Sequence, residues 1–149
     1  MRDKTRLDME QIIILIHVAS TWFMTGVIWI VQLAQYPLLA FTGANFFSQY
    51  YSRYTRAISC VVPLPMISEL VTGVFLLKIY AGSNQSFMSL VGFGLIIIIW
   101  GSTVFLQVPQ HQKLEKGFDA AAHKFLVETN WVRTWLWTVR AILVLTFVV

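Results

Sequence analysis

Residues 12–34 read IIILIHVASTWFMTGVIWIVQLA, 23 positions without a single Asp, Glu, Lys or Arg. At 1.5 Å per residue a helix of about 20 residues crosses about 30 Å of hydrocarbon, so this run predicts a membrane-spanning helix. Three further runs of similar character lie at 57–77, 87–106 and 131–149. Continuous apolar runs satisfy their backbone in lipid only as helices, since barrel strands alternate and are shorter. The predicted fold is therefore an all-α integral membrane protein, one domain over 1–149, with four transmembrane helices in a bundle.

Composition points the same way. Of 149 residues 57% are hydrophobic and 12% charged, and the mean hydropathy is +0.67. A soluble core of this length cannot bury so much apolar surface, and disorder requires the opposite balance. The net charge of +4 arises from few acids rather than from a dense basic face, which excludes a nucleic-acid partner. Cys60 is alone, so no disulfide closes within the chain. Residues 1–10 mix Arg2, Lys4 and Arg6 with Asp3, Asp8 and Glu10 ahead of an apolar run longer than a signal peptide's, and they read as the head of an uncleaved span.

The links differ. Residues 78–86, with Gly82 and Asn84, form a short turn, whereas the first and third links are long and amphipathic. In 46–56 the aromatics Phe46, Phe47, Tyr50, Tyr51 and Tyr54 interleave with Arg53 and Arg56. In 114–128 Phe118, Ala122, Phe125 and Leu126 stand against Lys116 and Lys124. Both stretches predict helices lying in the headgroup layer, on one side of the membrane. Arg2, Lys4, Arg6 and Lys78 on one side oppose Arg53, Arg56, Lys113, Lys116, Lys124 and Arg133 on the other, which favours the long links inside and a bacterial inner (plasma) membrane location. A short echo, Gln32-x-x-Gln35-Tyr36 against Gln107-x-x-Gln110-His111, with Tyr54-Thr55-Arg56 against Trp131-Val132-Arg133, suggests two parallel helix, cap, helix repeats.

Polar groups inside a span turn toward the bundle interior. At about 100° per residue His17, Thr21, Gln32 and Gln35 share one face of the first helix, Trp100, Gln107, Gln110 and His111 one face of the third, and Asn130, Arg133, Trp137 and Arg140 one face of the fourth. Glu69 is the corresponding group on the second. Counted from the side of the long links, Arg140 lies about 14 Å deep, Glu69 about 18 Å and His17 about 24 Å, so Glu69 and Arg140 are expected to pair. Gln32, Gln35, Tyr36, Gln107, Gln110, His111, Asn130 and Arg133 are expected nearer the mouth, where helix-end capping competes with ligand binding as their role.

The stretch QHQKLEKGFD at 110–119, followed by TNWVRT at 129–134 and by Arg140, resembles a group of small bacterial four-helix membrane proteins. It is more distantly similar to the anthrone oxygenase-like family, whose named members act on polycyclic phenolic substrates without an obvious metal motif. The resemblance implies the four-helix fold and draws attention to His111, Asn130 and Arg133, with Pro37 and Pro109 as common features. It implies no cofactor and no catalytic assignment.

Three functions compete. In the first, a polar pocket inside the membrane binds, and transforms in an oxygenase-like or isomerase-like way, a small hydrophobic molecule. His111 or His17 then acts as acid or base, Arg133 or Arg140 stabilises an oxyanion, Glu69 completes the charged set, and Gln32, Gln35, Trp100, Gln107, Gln110, Asn130 and Trp137 hold the ligand. In the second, His17, Glu69 and Arg140 serve a redox or proton-handling subunit that binds haem b or quinone. In the third, the chain is an accessory subunit whose glycines pack against partner helices, in a homo-oligomer or a larger membrane complex. No nucleophile, phosphate-loop or zinc motif is present, and the spacing of His111 and His123 matches no familiar metal site.

Overall fold

The computed structural model describes residues 2–148, and of residues 2, 3, 5 and 44 the backbone alone. Met1, at the head of the expected tail, and Val149, at the end of the expected fourth span, lie outside the described residues, as do the side chains of Arg2 and Asp3. The described chain is helical, with no strand among its residues. Its order is α1 (Arg2–Ile30), a π turn (Val31–Gln35), α2 (Tyr36–Leu39), α3 (Ala44–Val61), α4 (Pro63–Ile79), α5 (Ser86–Ser102), a second π turn (Thr103–Gln107), α6 (Val108–Leu114), α7 (Ala120–Leu143) and a closing 3-10 turn (Val144–Phe147). These pieces join into four rods that pack as a ring, with α1 beside α4, α4 beside α5, α5 beside α7, and α7 beside α1.

Three rods, Arg6–Leu39, Asn45–Ile79 and Ser86–Leu114, are long and apolar enough to cross a membrane. The fourth expected span is not matched by a helix of that kind, because α7 carries Lys124, Glu128, Arg133 and Arg140. The rods have surplus length. At 34, 35 and 29 residues each exceeds the roughly 20 residues that hydrocarbon requires, and the surplus builds a cap.

That cap corrects the reading of the links. The stretch 46–56 lies within a longer helix, and 114–128 is not one continuous helix. The first belongs to α3, which runs into α4 with only a break at Val62, where Pro63 and Pro65 withdraw two backbone donors. The second is divided between the end of α6, a turn made possible by Gly117 at φ +145°, and the start of α7. Asp119 caps α7 by accepting from the Ala122 backbone N–H at 2.9 Å. Amphipathicity here serves burial within the protein: Phe47, Tyr51, Leu114, Ala122 and Leu126 join Val31, Tyr36 and Leu39 in a core of their own. Arg53, Arg56, Lys113, Lys116 and Lys124 remain exposed around it.

The two π turns share a cause. Each precedes a proline, in Gln35-Tyr36-Pro37 and Gln107-Val108-Pro109, whose ring would clash with a carbonyl four residues back in a regular helix. Widening relieves the clash, with Tyr36 N–H bonded to Val31 O and Val108 N–H to Thr103 O, five residues apart. By this structural match Gln35 corresponds to Gln107, which moves the expected repeat alignment by three residues.

Exposure is inverted relative to a soluble bundle. Leu33, Ile97, Phe105 and Ile142 face outward while His17, Gln32, Glu69, Gln107, Asn130, Arg133 and Arg140 are buried. Along α1 the interior alternates in layers: Val18 beside Leu76 and Phe147, then His17 and Thr21 among polar partners, then Met24 and Ile28 against Met66, Ile99 and Trp137, then Val31 at the cap.

Candidate functional site

Helix α7 supplies the spine of the polar interior. Asn130, Arg133, Thr134, Trp137 and Arg140 recur at helical spacing and are all buried. Their partners come from the other rods and sort into two clusters that meet at Trp137.

The deeper cluster centres on Glu69 and Arg140, whose side chains are 2% and 0% exposed. Arg140 Nη1 donates to Glu69 Oε1 at 2.8 Å, and Trp137 Nε1 donates to Glu69 Oε2 at 3.1 Å. Arg140 Nη2 reaches His17 Nε2 at 3.3 Å and Thr21 Oγ1 at 3.5 Å. A guanidinium only donates, so His17 Nε2 accepts and Nδ1 carries the ring proton. That proton faces Thr72 Oγ1 at 2.7 Å, and Thr72 passes its own to Ser68 O. The chain of donors is directional, with His17 neutral in it. Beside it Gly73 lets α5 approach: a Cβ there would lie 2.8 Å from Ile96 Cδ1 and 3.2 Å from Phe93 Cδ2.

The shallower cluster borders a cavity of about 370 Å³ lined by residues of all four rods, with Arg133 the contribution of α7. Most of its wall is apolar, from Met24, Ile28, Ile58, Val62, Met66 and Val104. Tyr36, Tyr54, Trp100, Gln107, His111 and Arg133 supply polar groups. Val104 and Val108 on one rim are exposed, as is Ser59 opposite, so the cavity opens sideways between the second and third rods. Behind the wall, Gln32 Nε2 donates to Val127 O at 3.3 Å, Asn130 Nδ2 donates to Gln32 Oε1 at 2.8 Å, and Arg133 Nη1 donates to Asn130 Oδ1 at 3.0 Å. The guanidinium also lies 5.2 Å above the Trp137 ring, a cation–π contact that ties the two clusters together.

Two buried atoms that belong to the lining residues have no hydrogen-bond partner: Gln107 Oε1 and Arg133 Nε. Such groups are costly and rare in a folded interior. Arg140 Nε in the deeper cluster is unpartnered as well. No known protein family, curated protein or solved structure matches the chain. The residues themselves therefore carry the functional argument.

Of the residues expected to do chemistry, His111 and Arg133 line the cavity, while His17, Glu69 and Arg140 sit in the deeper cluster away from it. Among the expected ligand contacts Trp100 and Gln107 line it, and Gln32, Asn130 and Trp137 stand behind Arg133. Gln35 instead donates to Tyr50 Oη at the surface at 2.9 Å, and Gln110 is half-buried outside the wall. His111 bridges two phenols, 3.1 Å from Tyr36 Oη at Nε2 and 2.6 Å from Tyr51 Oη at Nδ1. His123 bonds Tyr36 O at 2.8 Å. Among the described residues no three His, Cys, Asp or Glu side chains converge as a metal site.

Sequence reasoning assigned Tyr51 and Tyr54 to headgroups. Their spacing held another signal: Phe47, Tyr51, Tyr54, Ile58 and Val62 recur at three and four residues and mark one continuous buried face. Thr129 was quoted only as part of the 129–134 stretch, with no role of its own. It receives Gln107 Nε2 at 2.8 Å and donates to Phe125 O at 2.7 Å, and no local pattern distinguishes it from an ordinary helical threonine.

Proposed function

We propose that the chain is a four-span membrane protein whose shallower cavity binds a small hydrophobic molecule bearing a polar head, reached sideways from the bilayer. The single observation that carries this reading is a cavity of about 370 Å³ whose wall is largely apolar and whose polar lining residues include the buried Gln107 and Arg133. Pockets of this volume with few convergent polar groups are the usual form of a small-molecule site. Arg133 supports a further role, holding negative charge that develops on the ligand's head in oxygenase-like or isomerase-like chemistry. Tyr36, His111 and Tyr51 form a relay beside it. A neutral imidazole donates from one nitrogen and accepts at the other, which lets His111 hydrogen-bond both phenols without being charged.

The haem or quinone alternative draws less support. Both nitrogens of His17 are already bonded, and the residue lies outside the cavity. The deeper cluster is better explained as the device that fixes helix register.

A plug tests the reading. Val62→Trp places a large ring at the lateral opening, where Val62 is half-buried at the break between α3 and α4. Purified in nanodiscs, this variant is expected to keep its thermal stability and lose about tenfold or more in affinity for an aromatic probe such as naphthalene or naphthol. Wild-type affinity in the variant would place binding elsewhere.

The fourth crossing is supported by where α7 ends. Gln85 Nε2 donates to Thr146 O at 2.9 Å and Tyr80 Oη to Phe147 O at 3.4 Å, so the closing turn stands beside the turn between α4 and α5. In a Cys60→Ser background, Ser83→Cys and Val148→Cys are expected to react with an impermeant maleimide from one side of the membrane and Lys116→Cys from the other. Labelling of Lys116→Cys and Val148→Cys from the same side would remove the fourth span.

A further inference from the structure

The two buried arginines of α7 differ in what meets their charge. Nε is shielded and unpartnered in both, so the contrast lies at the other nitrogens. Arg140 gives Nη1 to the Glu69 carboxylate at 2.8 Å and turns Nη2 to His17 and Thr21. Arg133 gives Nη1 to the neutral Asn130 at 3.0 Å. The Tyr36 and Tyr54 phenols stand beside its guanidinium, but among the described residues Nη2 makes no hydrogen bond of good geometry, and it is not one of the shielded atoms. Arg133 is 6% exposed and lines the cavity, so Nη2 is the nitrogen that the cavity meets. Among the described residues that line this space there is no Asp, Glu or Lys, which leaves Arg133 as its one formal charge. Tyr54 and Trp100, on the same wall, add an O–H and an N–H that are likewise neither bonded nor shielded.

Resting on the binding function proposed above, we infer that the cavity takes a lipophilic organic acid as its anion, with the carboxylate at Arg133 Nη2 and the apolar body along Met24, Ile28, Met66 and Val104. A cation held among neutral groups in a low-dielectric interior is costly, and a bound monoanion offsets that cost through a charge-assisted hydrogen bond. The charge count selects the head. A dianion such as a phosphomonoester brings a second charge that nothing on the wall meets, and a neutral amide or alcohol leaves the guanidinium uncompensated. The volume of about 370 Å³ suits a fused-ring body, and the sideways opening lets an alkyl chain trail into the bilayer.

Pairs of equal shape and unlike charge test this. Calorimetric titration of the protein in phosphatidylcholine nanodiscs at mildly alkaline pH, with empty nanodiscs as the partition reference, would compare 1-naphthoate with 1-naphthamide and decanoate with decanamide. The acid of at least one pair is expected to bind about tenfold or more tighter than its amide, the scale of one hydrogen bond to a charged group. The pair that shows the gap tells an aromatic acid from an aliphatic one. Arg133→Gln, which keeps a donor and loses the charge, is expected to reduce the gap to twofold or less. A third probe needs no variant: the 1-naphthylmethylammonium cation, of like charge to Arg133, is expected to bind the wild type more weakly than the amide. Equal binding of acid and amide to the wild type, or a cation that binds as tightly as the acid, would overturn the inference and leave the cavity a ligand site. A gap undiminished in Arg133→Gln would also overturn it. If acids and amides all fail to bind while 1-naphthol binds, the inference falls alone; if 1-naphthol fails as well, the proposed function falls with it.

Discussion

Arg140→Leu is expected to cost about 3–5 kcal/mol of stability, the usual penalty for stranding one partner of a buried ion pair. The substitution leaves Glu69, 2% exposed, with Trp137 Nε1 as its remaining side-chain donor, and it takes from His17 Nε2 the proton it now receives. Glu69→Leu strands the guanidinium instead and should cost a similar amount. Replacing both together removes the two charges at once, and isosteric apolar replacements of buried pairs are often close to neutral. Here the recovery is partial, because Trp137 Nε1 and His17 Nε2 each lose a partner, at roughly 1–3 kcal/mol apiece. The double variant should therefore be more stable than the sum of the two single losses implies. Unfolding in mixed micelles across the double-mutant cycle measures this coupling. Strict additivity would mean that the 2.8 Å contact contributes nothing to the fold.

Arg133→Leu should act in the opposite direction on stability and far more strongly on binding. Among the described residues no carboxylate lies within ion-pair distance of Arg133, and its Nε is unpartnered. Burial of that cation is supported by Asn130 at 3.0 Å, the Trp137 ring at 5.2 Å and the neighbouring Tyr36 hydroxyl, neutral contacts that fall short of the desolvation cost of a charge. Removing it should leave the unfolding midpoint unchanged or raise it. Binding of a hydroxylated probe should weaken by about ten- to a hundredfold, since a hydrogen bond from a charged group contributes about 1.5–3 kcal/mol. Stability held back for function is a common mark of a binding residue. A fall in midpoint as large as that of Arg140→Leu would recast Arg133 as a strut, and the cavity would lose its charged contact.

These opposite expectations for two arginines, seven residues apart on one helix, rest on features of differing legibility in the sequence. Both were expected to face inward, because an unsheltered cation is too costly among acyl chains and their spacing of two helical turns keeps them on one side of α7. Depth counting also foresaw that Glu69 and Arg140 lie within reach of one another. What depth cannot distinguish is whether an inward group meets a partner or a space. Arg140 meets a carboxylate. Arg133, two turns nearer the cap, meets the side wall of a cavity created where the break at Pro63 and the π turn before Pro109 let the second and third rods separate. The links show the same limit. Their alternation of aromatic and basic residues predicts an amphipathic surface, and that pattern is identical whether the aromatic face meets headgroups or the ends of neighbouring rods.

Local composition and helical period thus determined that the chain forms helices, that its apolar runs, four of them expected, include three with the length and apolarity to cross a bilayer, and which face of each is polar. Backbone satisfaction and the cost of exposed polarity in lipid act on each segment alone, so they are readable one segment at a time. Tertiary structure decided which polar groups share a site. Partner choice depends on the relative rotation and splay of whole rods, and these were set by two π turns, one proline break and the packing of Phe47, Tyr51, Leu114 and Leu126 at the cap. A proline marks where a helix must yield, but its neighbours on other rods decide which way it turns and what space opens beside it.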